Sequence, residues 1–536
     1  MRHIYLAIPL LLTASVAAAP PEVTSLISSG VTRGQTAEVI AGGNLGGTWP
    51  AQVWTDNPGL TIEALADRGK LKITAAADAR PGLTWLRLIG ADGASVPRPL
   101  FVGSLPEVAE VEPNNAFKER QQLAAPGNIT GKLQKQNDVD VFSLPAQAGQ
   151  TLVASVIANE LLGSPMDAVL QVCTENGTIV AQNNDGHGLD PMVTYTVTQA
   201  GNYLVRIFAF PSEPNSTIAF AGGDNYLYRL TITNGGFTDH SLPLAMQRGK
   251  PAEFKLHGWN LASPAATFEV PAVDFRDMVF FQPADAVGLV PLSLTDYPSL
   301  VAELTASRET PQECPLPCVM SGRLDEAKDS DVFRFTAAKG KALSIKAESD
   351  SIGYEVDPVL RMLDDAGKVL AEAESPRRGG EPVLNFTPPA DGPYRLEVAD
   401  LHRRGGLRYA YRLTLAPVTP DFSVTLAAGT FSIAAGKTLE IPLTIDRKNG
   451  FAGEIDFTVE NLPPGITVAP LKSLPTGDTA KTAKLILTAA ADAKPGMIQI
   501  IGKSGEDVPL TRRVTFVAKQ GPSTFNHGEV WLSIGK

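Results

Sequence analysis

Apolar and polar positions alternate with a period of two along most of the chain. Tyr394, Leu396 and Val398 alternate with Arg395 and Glu397, and Leu439, Ile441, Leu443 and Ile445 alternate with Glu440, Pro442, Thr444 and Asp446. Successive side chains of a strand point to opposite faces, so this pattern predicts strands buried on one side. Asn176-Gly, Asp185-Gly, Asp391-Gly and Asn449-Gly punctuate the runs at short spacing, the hairpin signal of sandwich folds. The stretches 75–79 and 489–493 are Ala-rich, but Pro-Gly follows each within two residues, which predicts a strand running into a turn. Pro442 has no N–H to give a ladder, which predicts a sheet edge for its strand. The fold class that follows is all-β, a multidomain chain of β-sandwiches.

Internal repeats divide the chain. Asp138-Val-Asp-Val-Phe-Ser-Leu144 returns as Asp329-Ser-Asp-Val-Phe-Arg-Phe335, and Gly149-Gln-Thr-Leu152 as Gly340-Lys-Ala-Leu343. Asp167-Ala-Val-Leu170 returns as Asp357-Pro-Val-Leu360, and Gly201-Asn-Tyr-Leu-Val205 as Gly392-Pro-Tyr-Arg-Leu396. Landmarks matched in one order over some hundred residues mark one module used twice. A second repeat surrounds it: Arg33-Gly-Gln-Thr-Ala-Glu-Val39 returns as Arg248-Gly-Lys-Pro-Ala-Glu-Phe254, and the segment 74–82 returns at 488–496. The expected order is a signal peptide at 1–19, then sandwiches at 20–105, 106–235, 236–305, 306–416 and 417–536. Periods this long predict beads on a chain rather than a stacked solenoid.

The twice-used module resembles the bacterial pre-peptidase C-terminal domain, a small jelly-roll-like sandwich. The resemblance rests on Glu110-Val-Glu-Pro-Asn-Asn115, a Gly131-Lys-Leu turn, Asp138-Val-Asp-Val-Phe142, Gly149-Gln-Thr-Leu152 and Gly201-Asn-Tyr203. It covers about 110–236 and, with fewer matches, 306–416. The intervening modules look like immunoglobulin-like sandwiches of the IPT/TIG type. What the resemblance implies is a module attached to secreted peptidases, with collagenase relatives that bind collagen and calcium. Carried over residue by residue, it implies calcium ligands at Glu110, Glu112, Asn114, Asp138 and Asp140. The residue types suit calcium, which takes six to eight oxygens from carboxylates and amides. The alternative is that Pro113-Asn-Asn is a turn and Asp140 caps backbone amides. In the second copy, Glu309-Thr-Pro-Gln-Glu-Cys-Pro-Leu-Pro-Cys318 stands where the Glu-Pro-Asn-Asn segment is expected, and the amide ligands are gone. Cys314 and Cys318 are placed to form a disulfide there, provided the backbone turns between them.

Composition narrows the function. The 536 residues exceed a single core, and a net charge of −11 gives no reason to bind nucleic acid. Arg2 and His3 precede the apolar run 4–12 and small residues at 14–19, the pattern of a secretory signal peptide. That run is too short to span a bilayer, so no integral membrane segment is expected. No H-E-x-x-H or G-x-S-x-G motif occurs, and the six histidines stand singly along the chain, so no catalytic centre is expected. Trp49, Trp54 and Trp85 crowd the first sandwich, either as core residues or as an exposed platform for sugar rings. The expectation is a secreted, non-enzymatic binding or adhesion protein, extracellular, periplasmic or surface-associated, that presents sandwiches to an extracellular polymer or protein. The alternative is a non-catalytic accessory component of an extracellular peptidase system.

Overall fold

The computed structural model describes residues 19–49, 51–213, 219–268, 276–375, 380–505 and 509–535, so all but the last residue of the expected signal peptide lies outside them. Strands dominate. The described helices are one short turn at Asn159–Leu162 and a 3-10 turn at Asp350–Ile352. The strands form ten sheets that stack in pairs, which makes the chain a series of β-sandwiches.

The two copies of the repeated module share one topology. In the first, one sheet runs Glu107–Ala109, Gly127–Lys132, Leu227–Thr233, Thr151–Ile157, Met192–Thr196. The other runs Gln121–Gln122, Asp140–Ala146, Gly201–Pro211, Met166–Thr174, Ile179–Asn183. The second copy repeats this order strand for strand, from Ser299–Val301 to Val383–Phe386 in one sheet and from Gln312–Glu313 to Val369–Glu374 in the other. Their cores match too. Phe142, Leu152, Val205 and Leu230 are buried in the first and Phe333, Leu343, Leu396 and Leu413 in the second. Each such side chain contributes about 1.5–3 kcal/mol of burial.

The other three sandwiches share a different device. A first strand begins in one sheet and the next crosses to pair parallel in the other: Gly30–Thr32 against Arg98–Gly103, Ala245–Gln247 against Val290–Thr295, and Thr430–Ala434 against Val530–Gly535. The Ala-rich stretches behave as predicted, ending the strands Lys70–Ala75 and Thr482–Ala489. Pro442 does not lie on an edge strand, because Thr438–Lys448 is flanked by Thr482–Ala489 and Asp421–Leu426. The latter pairs only with residues 444–448, so at Pro442 the strand has one neighbour and its missing N–H costs no ladder bond.

The expectation of separate beads is overturned. The first and last sandwiches pack on each other. Arg87, 1% exposed, donates to the carbonyls of Glu529 (2.8 Å) and Gly429 (3.0 Å) in the last sandwich and to its own Ser95 (2.7 Å). Gln520 bridges to Arg98 (2.6 Å) and to the Pro97 carbonyl (3.0 Å). Leu83, Trp85 and Phe101 of the first sandwich form a cluster with Leu161, Phe280 and Phe525, which belong to three other sandwiches. The physical reason is that the outer face of Gly82–Gly90 carries Leu83, Trp85 and Ile89 beside Arg87, and closing the chain on itself takes that apolar surface out of water. Trp85 therefore packs inside an interface, and Trp49 Nε1 donates to the Leu65 carbonyl (2.7 Å), so neither serves as an exposed platform.

The histidines are not isolated in space. Asp239 accepts from His240 Nδ1 at 2.8 Å and lies 3.6 Å from His187 Nε2, and Arg408 pairs with it. Arg408 also donates to the carbonyls of Gly186 (2.8 Å) and Gly353 (2.6 Å), which ties both copies of the repeated module to the sandwich between them. The His240 and His257 rings stack at 4.8 Å, and Arg323 Nη1 lies 2.9 Å from His257 Nδ1. Burial, then the neighbouring His240 and Arg323, pushes His257 down to about 3, so it is neutral in this junction at ordinary pH. Cys314 and Cys318 are free thiols, both buried and in side-chain contact, rather than a disulfide.

Candidate metal centre

Two local devices bring the predicted ligands together. After Glu107–Ala109 the chain leaves the sheet as residues 110–115, and the backbone Asn114 carbonyl accepts from Val141 N at 3.0 Å, pinning this segment beside Asp140–Ala146. Asp138 Oδ2 accepts from Gln134 N (2.5 Å), closing the turn that leads into the same strand. Gly131 lies within the strand Gly127–Lys132 rather than in a turn. A Cβ there would stand 2.3–2.4 Å from the Tyr228 ring, so its absence lets the tyrosine reach across.

Tyr228, fully buried, donates to Glu110 Oε1 at 2.7 Å and sits 2.6 Å from Asp140 Oδ2. Glu110 Oε2 accepts from Lys132 N (3.0 Å), and Glu112 Oε2 from Asn114 N (2.9 Å). Asn115 Nδ2 donates to Asp138 Oδ1 (3.0 Å). Oxygens of Glu112, Asp138 and Asp140 lie within 4.8 Å of one another. The buried Asn114 amide turns one end into this cluster, 3.1 Å from Asp140 Oδ1 and 3.2 Å from Glu112 Oε2. Its other end is 3.5 Å from Glu110 Oε1. With nitrogen inward, the amide donates to two carboxylates. With oxygen inward, it faces two carboxyl oxygens, an arrangement that either a proton on Asp140 or a bound cation makes favourable.

The electrostatics are those of an acid cluster short of positive charge. Burial, and then Glu110 beside it, pushes the Asp140 carboxyl up to about 10. Burial also raises Glu112, with Asp138 and Glu110 adding to it against the Asn114 backbone hydrogen bond. A protonated Asp140 and a bound cation are two answers to one excess of negative charge.

The second copy shows what the fold needs without that excess. Val332 N donates to the Ala306 carbonyl (3.2 Å) as Val141 N does to Asn114, and Gln312 anchors Glu303 N (2.8 Å) as Gln121 anchors Val111 N (2.8 Å). The counterpart of the Glu110–Asn115 segment is therefore 302–307, not the cysteine-containing stretch that begins at Glu309. Glu110, Glu112 and Asn114 are replaced there by Ala302, Leu304 and Ala306, with Leu304 87% exposed. Asp329 still closes the turn by accepting from Asp325 N (3.0 Å), and Tyr411 still donates to Asp331. So Asp138 and Asp140 have structural duties in both copies, and what is peculiar to the first copy is the added Glu110, Glu112 and Asn114. The shifted alignment could have been avoided in the sequence by anchoring on Gln121 and Gln312 instead of on Glu-Pro.

Comparison with known proteins now bears on the twin sandwiches. The family model described as the bacterial pre-peptidase C-terminal domain matches residues 329–400. The second copy carries a pre-peptidase C-terminal domain. A probable subtilase-type serine protease of Deinococcus radiodurans is 29% identical over 99 residues, which is 18% of this chain and 14% of that protease. Among solved structures, the pre-peptidase C-terminal domain of a Bacillus anthracis collagenase is 18% identical, covering 19% of this chain and 92% of that one, with a TM-score of 0.17. The insect immune protein hemolin is 9% identical over 93% of this chain and 98% of its own, with a TM-score of 0.22. The family match places the pre-peptidase C-terminal domain on the copy that lacks the oxygen cluster, so the cluster belongs to its topological twin.

Proposed function

We propose that the first copy, at 106–235, is a second pre-peptidase C-terminal domain that binds a calcium-like divalent cation, and that the chain is a secreted, non-enzymatic binding protein for an extracellular polymer. The observation that carries the metal reading is the contrast between the copies: the same two aspartates, with Glu110, Glu112 and Asn114 added in one alone. Glu112, Asp138 and Asp140 would hold the ion with the Asn114 oxygen, and Glu110, held by Tyr228, would complete the charge. A cation there supplies the positive charge that the cluster lacks and fixes the 110–115 segment against its strand. No covalent chemistry is assigned to the chain.

Terbium luminescence sensitised by Tyr228 tests the ion. A saturable signal that calcium displaces, and that Glu112→Gln abolishes, supports it; absence of signal with a folded protein overturns it. Co-sedimentation with collagen, chitin, cellulose and peptidoglycan, each with calcium and with chelator, tests the binding role. Retention on one phase is the expected result.

A second reading, an accessory component of an extracellular peptidase system, is favoured by the likeness to a probable subtilase-type protease. It expects co-purification with a hydrolase and no retention on any of the four phases.

A further inference from the structure

One histidine stands in the seam where the first and last sandwiches close on each other. His527 ends the strand Ser523–His527, where it pairs with Phe516 of the neighbouring strand and stacks on that ring at 5.7 Å. Across the seam its ring meets Trp85 of the first sandwich edge-on at 4.8 Å. The side chain is 7% exposed, and its Nε2 is sealed from solvent with no hydrogen-bond partner.

A protonated imidazole carries a charge and an N–H donor on each nitrogen, and each donor needs an acceptor or water. The seam supplies neither at Nε2. The charged groups that act on His527 are Arg87 and Asp56 from the first sandwich and Arg276 from the middle one. Two of these three are cations. Asp56 is already engaged on both oxygens: Oδ1 accepts from Trp85 N (2.8 Å) and from Thr84, and Oδ2 from Arg80 (3.0 Å), with Arg276 at 3.4 Å. Of the acids next along the seam, Glu529 pairs with Arg513 (3.1 Å), and Asp277 accepts from Asn526 Nδ2 (2.9 Å). The neutral ring is therefore the form that fits. A proton on it would set a third cation among Arg87 and Arg276 with no acceptor to receive it.

We infer that His527 is a pH-sensitive latch: neutral, it lets the first and last sandwiches close, and protonated, it drives them apart. The inference rests on neither the metal reading nor the polymer reading. Burial, and then Arg87, lowers the closed-state value to about 4, from 6.5 for an ordinary histidine. In the open chain the ring meets water and regains its ordinary value, so the open form takes up the proton first. Closure is then undiminished above about pH 6.5 and weakens as pH falls toward about 4. At pH 5 the ratio of closed to open chain should have dropped about 30-fold.

The test is hydrogen exchange in the full chain. The Ala94 amide donates across this seam to Thr430 Oγ1 (3.1 Å), so its exchange reads the open population even where that is small. Its protection, corrected for the intrinsic pH dependence of exchange, should be about 30-fold lower at pH 5 than at pH 7.5. His527→Gln and His527→Phe carry no titrating ring and should each give the same protection at both pH values. A second measurement needs no variant: in carbon-13-labelled wild-type chain, the His527 ring, assigned by its contact with Trp85, should titrate below about pH 5.5 by NMR. The inference is overturned if wild-type protection at Ala94 is equal at the two pH values, if it falls as far in either variant, or if the ring titrates above that midpoint.

Discussion

Asp140 and Asp331 occupy the same place in two copies of one sandwich, each beside a buried tyrosine, and differ in their company. Without the added glutamates, burial still pushes Asp331 up to about 7, against the hydrogen bond from Tyr411. An aspartate whose folded value is raised keeps its proton in the folded state after the unfolded chain has lost it. This group's contribution to stability should therefore fall as pH rises from about 4 to about 7, by up to about 4 kcal/mol. Asp331→Asn should make the slope shallower in thermal melts taken across this range, the remainder coming from Asp140 and Asp190, whose carboxyls are also raised by burial, while retaining the Tyr411 contact. At the first copy, Asn114→Ala should lower terbium affinity at least tenfold, whereas Asp329→Asn in the second should leave it unchanged. The residue types at the first cluster were legible in the sequence. Their convergence was not, because it depends on Tyr228, 118 residues from Glu110 and 88 from Asp140, and on an amide orientation that no spacing reveals.

Among elements, the strands were legible because half-buried strands write their period into the sequence. One glycine was misread. Gly131 suggested a turn, yet it sits mid-strand under Tyr228, as Gly322 sits under Tyr411, where a Cβ would approach the ring to 2.3 Å. Gly131→Ala and Gly322→Ala should each destabilise their own sandwich by about 2 kcal/mol or more, measured by urea unfolding, because the tyrosine cannot retreat from a full core. Gly131→Ala should also weaken terbium binding, since Tyr228 positions Glu110 and Asp140. Gly82–Gly90 carried a signal that went unused. It reads Leu-Thr-Trp-Leu-Arg-Leu-Ile without clean alternation, the mark of a strand covered on both faces. Such a strand in the first sandwich already required something to lie on its outer side.

Across the whole molecule, closure depends on a few groups that no local pattern connects. Arg87 lies 442 residues from Glu529, one of the carbonyls it holds. Burial pulls its guanidinium down to about 10, still charged at neutral pH, so removing its carbonyl partners would strand a buried cation. Arg87→Ala should open the chain, seen as a larger radius of gyration in small-angle scattering, while each sandwich keeps its own unfolding transition. The His187–Asp239–Arg408 junction holds the middle three sandwiches independently, so that variant should hinge at one seam only. Closure also has a temporal side. A ribosome makes the first sandwich several hundred residues before the last, so the part of the Leu83, Trp85 and Phe101 face that Phe525 covers stays open after Leu161 and Phe280 have been made. Until residues near Phe525 arrive, that face is a ready contact for another nascent chain or for a chaperone, and a chain cut short before them would carry it permanently.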